Sequence, residues 1–229
     1  MAKRRASAPA RSVATSAAGR RTTRRNGRQS GRGDSDQPVL LAVTGPNGAG
    51  KTTFVETYIE GTGLLVVNPD RIALALSPED PGKVAYEAAE IAEAIRRYLM
   101  SVRESFCMET VFSDPDGDKL AFLREAQSTG YVVVLVFIGL DSPDLAIARV
   151  VQRTEDGGHD VPDEKIMSRF PRTLVNLEKA LHFVDLGFLF DNSSADEPYR
   201  FVAEWADGKM VRLGDVLPSW LRRLSKPVR

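Results

Sequence analysis

The chain has 229 residues, enough for one full domain and a tail, and its 42% apolar and 27% charged residues are ordinary for a globular protein. A single cysteine, Cys107, excludes an internal disulfide and a cysteine-based zinc site and points to a reducing, cytoplasmic setting; two histidines argue against a His-rich metal centre. The zero formal net charge hides a division: residues 1–36 carry ten Lys and Arg against Asp34 and Asp36, whereas the remainder carries 21 basic and 29 acidic residues.

The basic segment, taken as residues 1–37, has Val13 as its one branched aliphatic side chain. It cannot bury enough apolar surface to offset its ordering entropy, so it reads as a disordered tail. It has no apolar stretch of the kind a secretion signal needs. Phosphate contacts with nucleic acid are one reading of its arginines and a solvated extension is the other. The second is preferred because no aromatic residue stands between them for base stacking.

From Pro38 to Arg229 short apolar runs alternate with helix-like segments. Val39–Thr44 reads as a strand, Thr52–Glu60 as a helix and Leu64–Val67 as a second strand. Lys83–Arg103 has helical spacing of Val84, Ala88, Ile91, Ile95 and Leu99, a core stripe. Ser105–Glu109 is a strand, with Cys107 inert inside it, and Lys119–Ser128 a helix. Tyr131–Leu140 holds the longest apolar stretch, the pattern of a strand covered on both faces and too short to cross a membrane. Asp144–Arg153 and Asp163–Leu181 read as helices around a polar loop, Glu155–Pro162. Phe188–Asp191 is a last core strand, and Phe201–Trp205 and Lys209–Leu213 flank the hairpin signal Asp207-Gly208. Trp220–Leu224 reads as a short helix. The alternation predicts a doubly wound, mostly parallel α/β sheet with a helical lid at about 153–170 and a C-terminal hairpin.

Gly45, Pro46, Asn47, Gly48, Ala49, Gly50, Lys51 and Thr52 match the P-loop pattern, placed between a strand and a helix as the pattern requires. Glycines let the loop turn its N–H groups inward, and the helix N-terminus favours anions. Lys51 brings a mobile positive charge to the β- and γ-phosphates; Thr52 can ligate Mg²⁺, with Thr53 beside it. The expected ligands are ATP and Mg²⁺.

In such sheets the acceptor binds at the C-terminal ends of neighbouring strands. The second strand ends in Asn68-Pro69-Asp70. Asp70 is read as the base that takes the proton of an attacking hydroxyl, the alternative being that it caps the next helix. The third ends in Glu109-Thr110, where Glu109 either holds Mg²⁺ through water or hydrogen-bonds the acceptor, the alternative being another cap. Asp141, after the longest apolar run, resembles a Walker B acid but stands in Asp141-Ser142-Pro143-Asp144, which reads as a capped helix start. Arg149 and Arg153 share one helical face, and Arg169 and Arg172 another. Around the Gly157-Gly158-His159 loop they form a lid whose Arg153 and Arg169 are expected to reach the transferring phosphoryl, the alternative being surface pairing with Glu155, Asp163 and Glu164. His159 is expected to position the acceptor.

Gly45–Thr53, Asn68-Pro69-Asp70, Phe106–Thr110, Gly157-Gly158-His159, Val161-Pro162, Arg169-Phe170, Asn176-Leu177 and Phe190-Asp191-Asn192-Ser193 occur in an order that resembles the zeta-toxin family of P-loop kinases, in its Gly-Gly-His branch. The resemblance covers about residues 39–193. It implies ATP- and Mg²⁺-dependent phosphorylation of a hydroxyl, of UDP-N-acetylglucosamine in the toxins, and an antitoxin protein as a partner. It implies Asp70 as the base, Lys51 and Thr52 as nucleotide and metal ligands, Glu109 at the acceptor, and Arg153 and Arg169 as lid arginines; Asn68, Thr110 and His159 are expected beside Glu109 at the acceptor. Where the toxins carry Glu-Gly-Thr this chain has Glu109-Thr110-Val111. The rival readings are a P-loop ATPase, against which stands the lack of an ABC signature and of a glutamate after Asp141, and a nucleotide-regulated module using its tail on nucleic acid.

Overall fold

Eight consecutive residues with no polar side chain suit the centre of a sheet, and Val132–Gly139 lies there as β4, buried in all but its first residue. The protein is described by a computed structural model over residues 37–155, 158 and 160–224. β4 pairs in parallel with β1 (Val39–Thr44) on one side and β5 (Leu186–Asp191) on the other. Beyond β1 lie β3 (Phe106–Thr110) and β2 (Leu65–Val67), again parallel. Beyond β5 come β6 (Arg200–Ala206) and β7 (Lys209–Leu213), antiparallel. Among the described residues the sheet thus has seven strands in the order β2-β3-β1-β4-β5-β6-β7, the mostly parallel α/β sheet that the alternation predicts.

Parallel neighbours need long crossovers, and helices supply them. They are α1 (Lys51–Tyr58), α2 (Pro69–Leu76), α3 (Ala85–Ser101), α4 (Asp118–Ser128), α5 (Pro143–Glu155) and α6 (Asp163–Leu181). Successive residues of β4 and β5 point to opposite faces, and both sets are buried, so both faces are covered. Some boundaries differ from the sequence reading. The helix expected over Thr52–Glu60 closes at Tyr58 and continues as a 3₁₀ turn, Glu60–Thr62. The one expected over Lys83–Arg103 is split into a 3₁₀ turn at Pro81–Val84 and α3. β5 begins two residues before the expected start, where Leu186 still pairs with Val134.

The hairpin turn takes φ of 49° at Asp207 and 74° at Gly208, the conformation that lets two right-twisted strands join in two residues. Near the C-terminal side of the sheet a 3₁₀ turn, Ser219–Arg223, inserts Trp220, which is fully buried. Its indole Nε1 donates to Asp191 Oδ1 at 3.0 Å, and its ring lies 5.3 Å from that of Phe137. It also lies so close to Gly139 that any side chain there would collide with it. Burial of an aromatic this size contributes on the order of 3 kcal/mol. Cys107 is fully buried in β3 and its burial pushes the thiol pKa up, so it is inert. Among the described residues no helix is long and apolar enough to cross a membrane.

Candidate active site

β1 ends at Thr44, and Gly45–Gly50 carries the chain into α1, whose first residue is Lys51. Gly50 is left-handed (φ 86°, ψ 24°) and caps the helix without a side chain. The first N–H groups of α1 therefore stay available to an anion. Lys51 is buried, and its Nζ donates to Pro46 O at 2.8 Å. Burial depresses the amine's pKa; Glu109 and Asp70 draw it back up, and Arg153 and Arg169 push it further down. Four charged side chains from four other elements or their ends thus act on Lys51, although the five residues are spread over more than a hundred positions of chain.

Glu109 reaches that point because β3 is the neighbour of β1, with Glu109 level with Val43. Its two carboxylate oxygens do different things. Oε1 accepts from the Thr52 hydroxyl at 2.8 Å, and Oε2 accepts from Asn68 Nδ2 at 2.8 Å. Burial raises the carboxyl pKa, opposed by Lys51 and by the Thr52 bond. Hydrogen bonds to a charged acceptor contribute about 1.5–3 kcal/mol each. With its proton committed to Glu109, the Thr52 hydroxyl keeps oxygen lone pairs with which it could ligate a metal. Among the described residues no group of three or more His, Cys, Asp and Glu forms a protein-only metal cage. The donor present, the Thr52 hydroxyl beside the Glu109 carboxylate, is of the hard oxygen kind that suits Mg²⁺. Polar atoms of the lining without protein partners, Asn47 Oδ1 and Arg172 Nε, also fit a polar ligand.

Asn68 also settles the reading of Asp70. Its Oδ1 accepts from the N–H of Asp70 at 2.8 Å and of Arg71 at 3.4 Å, so Asn68 is the cap of α2 and Pro69 its first residue. The capping alternative for Asp70 therefore does not hold: it stands one residue inside the helix, with its exposed side chain lining the cleft. Arg71 holds α2 against α1 by pairing with Glu56 and Glu60. A cap contributes about 1 kcal/mol; here it also aims a carboxylate.

Arg153 lies in the last turn of α5 and Arg169 in the second turn of α6, and both line the cleft with Arg149 and Arg172. The sequence reading of a lid at 153–170 runs through Asp156, Gly157 and His159, which lie outside the described residues, as do residues 1–36. Asp141 is not in the cleft lining. Its carboxylate accepts from Ser219 N and Oγ, and Ser142 Oγ accepts from Leu145 N at 3.1 Å as the α5 cap, so the capped-start reading of this segment holds. Thr110 lines the cleft, and beyond it the backbone is tied to α6. Thr173 Oγ1 donates to Val111 O, and Asn176 Nδ2 donates to the carbonyls of Phe112 (3.1 Å) and Asp114 (3.0 Å). These bonds hold Phe112 at a φ of 63°, a costly value for a bulky residue.

The cleft has a volume of about 1040 Å³ and extends from the P-loop to a space between α3 and α4, lined there by Tyr86, Glu93, Arg96, Phe122 and Glu125. Arg96 is buried, pairs with Glu93 at 2.6 Å and lies 5.8 Å over the Phe122 ring. None of these stood out in the sequence, because nothing in their spacing marks them as lining rather than helix surface. Asn192 and Tyr199, which bond the P-loop backbone, were missed as well. Asn192 did carry a signal, as a polar residue directly after a buried strand; Tyr199 carried none.

Residues 23–196 match the family described as Zeta toxin. An uncharacterized protein of Haemophilus influenzae is 25% identical over 134 residues, 58% of this chain and 94% of that protein. A solved structure from the PezAT chromosomal toxin–antitoxin system of Streptococcus pneumoniae superposes with a TM-score of 0.57 at 19% identity, covering 87% of this chain and 82% of that one. The AvrRxo1-ORF1:-ORF2 structure with ATP gives 0.62 at 20% identity, over 90% of this chain and 66% of that one. At these identities the structural likeness is one of fold.

Proposed function

The chain belongs to the zeta toxin family of P-loop kinases, and from that premise we propose that it transfers the γ-phosphoryl group of ATP, with Mg²⁺, to a hydroxyl of a small molecule. The observation that carries this reading is that Asp70, Glu109, Arg153 and Arg169 line one cleft with the P-loop Lys51, near enough for each to act on its charge.

Lys51 and the N–H groups at the start of α1 bind the phosphates. Thr52, oriented by Glu109, would hold Mg²⁺, which would supply positive charge to offset that of the phosphates. Asp70 accepts the proton of the acceptor hydroxyl as its oxygen bonds to the γ-phosphorus. The bond from that phosphorus to the β–γ bridging oxygen breaks, and ADP leaves with the electron pair. Arg153 and Arg169 meet the charge spread over the transferring group, and closure of α5 and α6 over it excludes water. Glu109, Asn68 and Thr110, which line the same cleft, are read as acceptor-binding residues, and His159, expected with them, falls outside the described residues. The likeness to the PezAT system supports an antitoxin protein as a partner.

The test is to incubate the pure protein with ATP, Mg²⁺ and a metabolite extract and look for a mass gain of one phosphate, with UDP-N-acetylglucosamine assayed first. Asp70→Ala should lower transfer by about 10²–10⁴-fold while nucleotide binding stays within about threefold. Full transfer by that variant, or hydrolysis with no phosphorylated acceptor, would remove the assignment.

A further inference from the structure

We propose that Asn192 and Tyr199 are positioning residues of the nucleotide site, a two-point strap that turns the P-loop amides toward the phosphates. The inference rests on the nucleotide reading above, but it concerns binding rather than transfer.

A peptide unit is planar and trans, so its C=O and N–H point in opposite directions, and tying one back aims the other. Asn192 Nδ2 donates to Ala49 O at 2.9 Å, which aims the N–H of Gly50 the other way. Tyr199 OH donates to Gly50 O at 2.8 Å, which does the same for the N–H of Lys51. Gly50 O already receives the first helical bond of α1, from Phe54 N, so the tyrosine fixes a carbonyl that is held at a second angle. The two straps brace each other: Tyr199 N donates to Asn192 Oδ1 at 3.3 Å. Asn192 is anchored in turn by its own N–H on Gly139 O.

Tyr199 is held for this purpose at some cost. Its φ is 54°, in the left-handed region that a tyrosine adopts only when its surroundings impose it. Its ring packs 5.3 Å from Phe54 and 5.9 Å from Tyr58, both on α1, so the hydroxyl is delivered from a fixed platform. Burial pushes the phenol up to about 12, so it stays a neutral donor at physiological pH. Gly50 is required twice over. Its φ is left-handed, and a Cβ there would stand 2.7 Å from Asn192 Nδ2 and 2.9 Å from Tyr199 OH. The strap approaches the loop as closely as a glycine permits.

The test uses the full chain and the variants Tyr199→Phe, which keeps the ring and removes the hydroxyl, and Asn192→Asp, which keeps the oxygen and removes the donor. Three readings are made: the Kd of a fluorescent ATP analogue with Mg²⁺, the Tm without nucleotide, and amide hydrogen exchange over residues 46–52. Tyr199→Phe should weaken nucleotide binding by about fivefold to tenfold and speed exchange in that segment, with Tm moving by no more than about 2 °C. Asn192→Asp should weaken it by at least as much. The double variant should lose less than the two losses multiplied, because each strap braces the other. Wild-type affinity and exchange in Tyr199→Phe would overturn the proposal, as would a loss of affinity that only follows a fall in Tm. Should Asn192→Asp not fold, Tyr199→Phe decides alone. Lys51→Ala in the same binding assay separates the two readings: if it binds as wild type does, the nucleotide site itself is wrong; if it alone is weak, only the strap is.

Discussion

At the P-loop the cleft is lined by main chain, while between α3 and α4 it is lined by side chains; we read the first as the nucleotide end and the second as the acceptor end. The P-loop offers N–H groups and one buried amine, and the carbonyls of Pro46, Ala49 and Gly50 are tied back by Lys51, Asn192 and Tyr199. Between α3 and α4 the lining is instead Tyr86, Glu93, Arg96, Phe122 and Glu125, with Arg97 linking Glu93 (2.9 Å) to Glu125 (3.3 Å). A ligand recognised by the path of the backbone constrains residues at fixed spacing, because only certain dihedrals make the path. A ligand recognised by side chains on two helices constrains no spacing at all.

The sharpest way to break this division is at the place where the two ends meet. Arg153→Ala or Arg169→Ala should lower phosphoryl transfer by about 100-fold while changing nucleotide Kd by less than about fivefold, because charge on the transferring group is met only as it moves. Equal losses in both quantities would make the arginines part of the nucleotide end. A smaller effect tests the acceptor end by itself. Glu125→Gln releases Arg97, and the KM for the acceptor found in the mass-gain assay should rise by about threefold to tenfold with nucleotide Kd unmoved. A shift in nucleotide Kd instead would show that the ends are not independent.

The smallest effect is on stability. Burial raises the Glu109 pKa in the folded state, so its favourable contribution is complete below the usual carboxylate range and is lost as pH rises through the folded value. Glutamine does not titrate. The Tm of Glu109→Gln minus that of the wild type should therefore grow more positive from about pH 4 to pH 8, by a few degrees at most. A difference that is flat or falls over that range would mean that the bonds from Thr52 and Asn68 outweigh desolvation.

The P-loop, the strand order's parallel core and the hairpin were legible because each rests on a local rule: glycine spacing, an unbroken apolar run, and Asp-Gly at a two-residue turn. Asp70 was legible as an acid at a strand end, but its freedom from capping was not. That depends on which of two adjacent side chains, Asn68 or Asp70, reaches the helix N–H groups. From its position Glu109 could be read as a Mg²⁺ or an acceptor residue, and only the family resemblance put it with the acceptor. Its bond to the Thr52 hydroxyl follows from β3 lying next to β1, a long-range pairing that no window of sequence contains. Tyr199 lies 149 residues from the carbonyl it holds, and a tyrosine in a loop announces nothing. Side chains that act through someone else's backbone leave no pattern of their own.

Trp220 ties a segment far along the chain to the support of the phosphate loop. It closes the sheet beside Asp191, the residue before the strap, and also beneath Gly139, whose carbonyl anchors Asn192. Every residue that lines the cleft precedes it in the chain. This indole wedge thus steadies the support of the phosphate loop from outside the cleft, without lending a group to it.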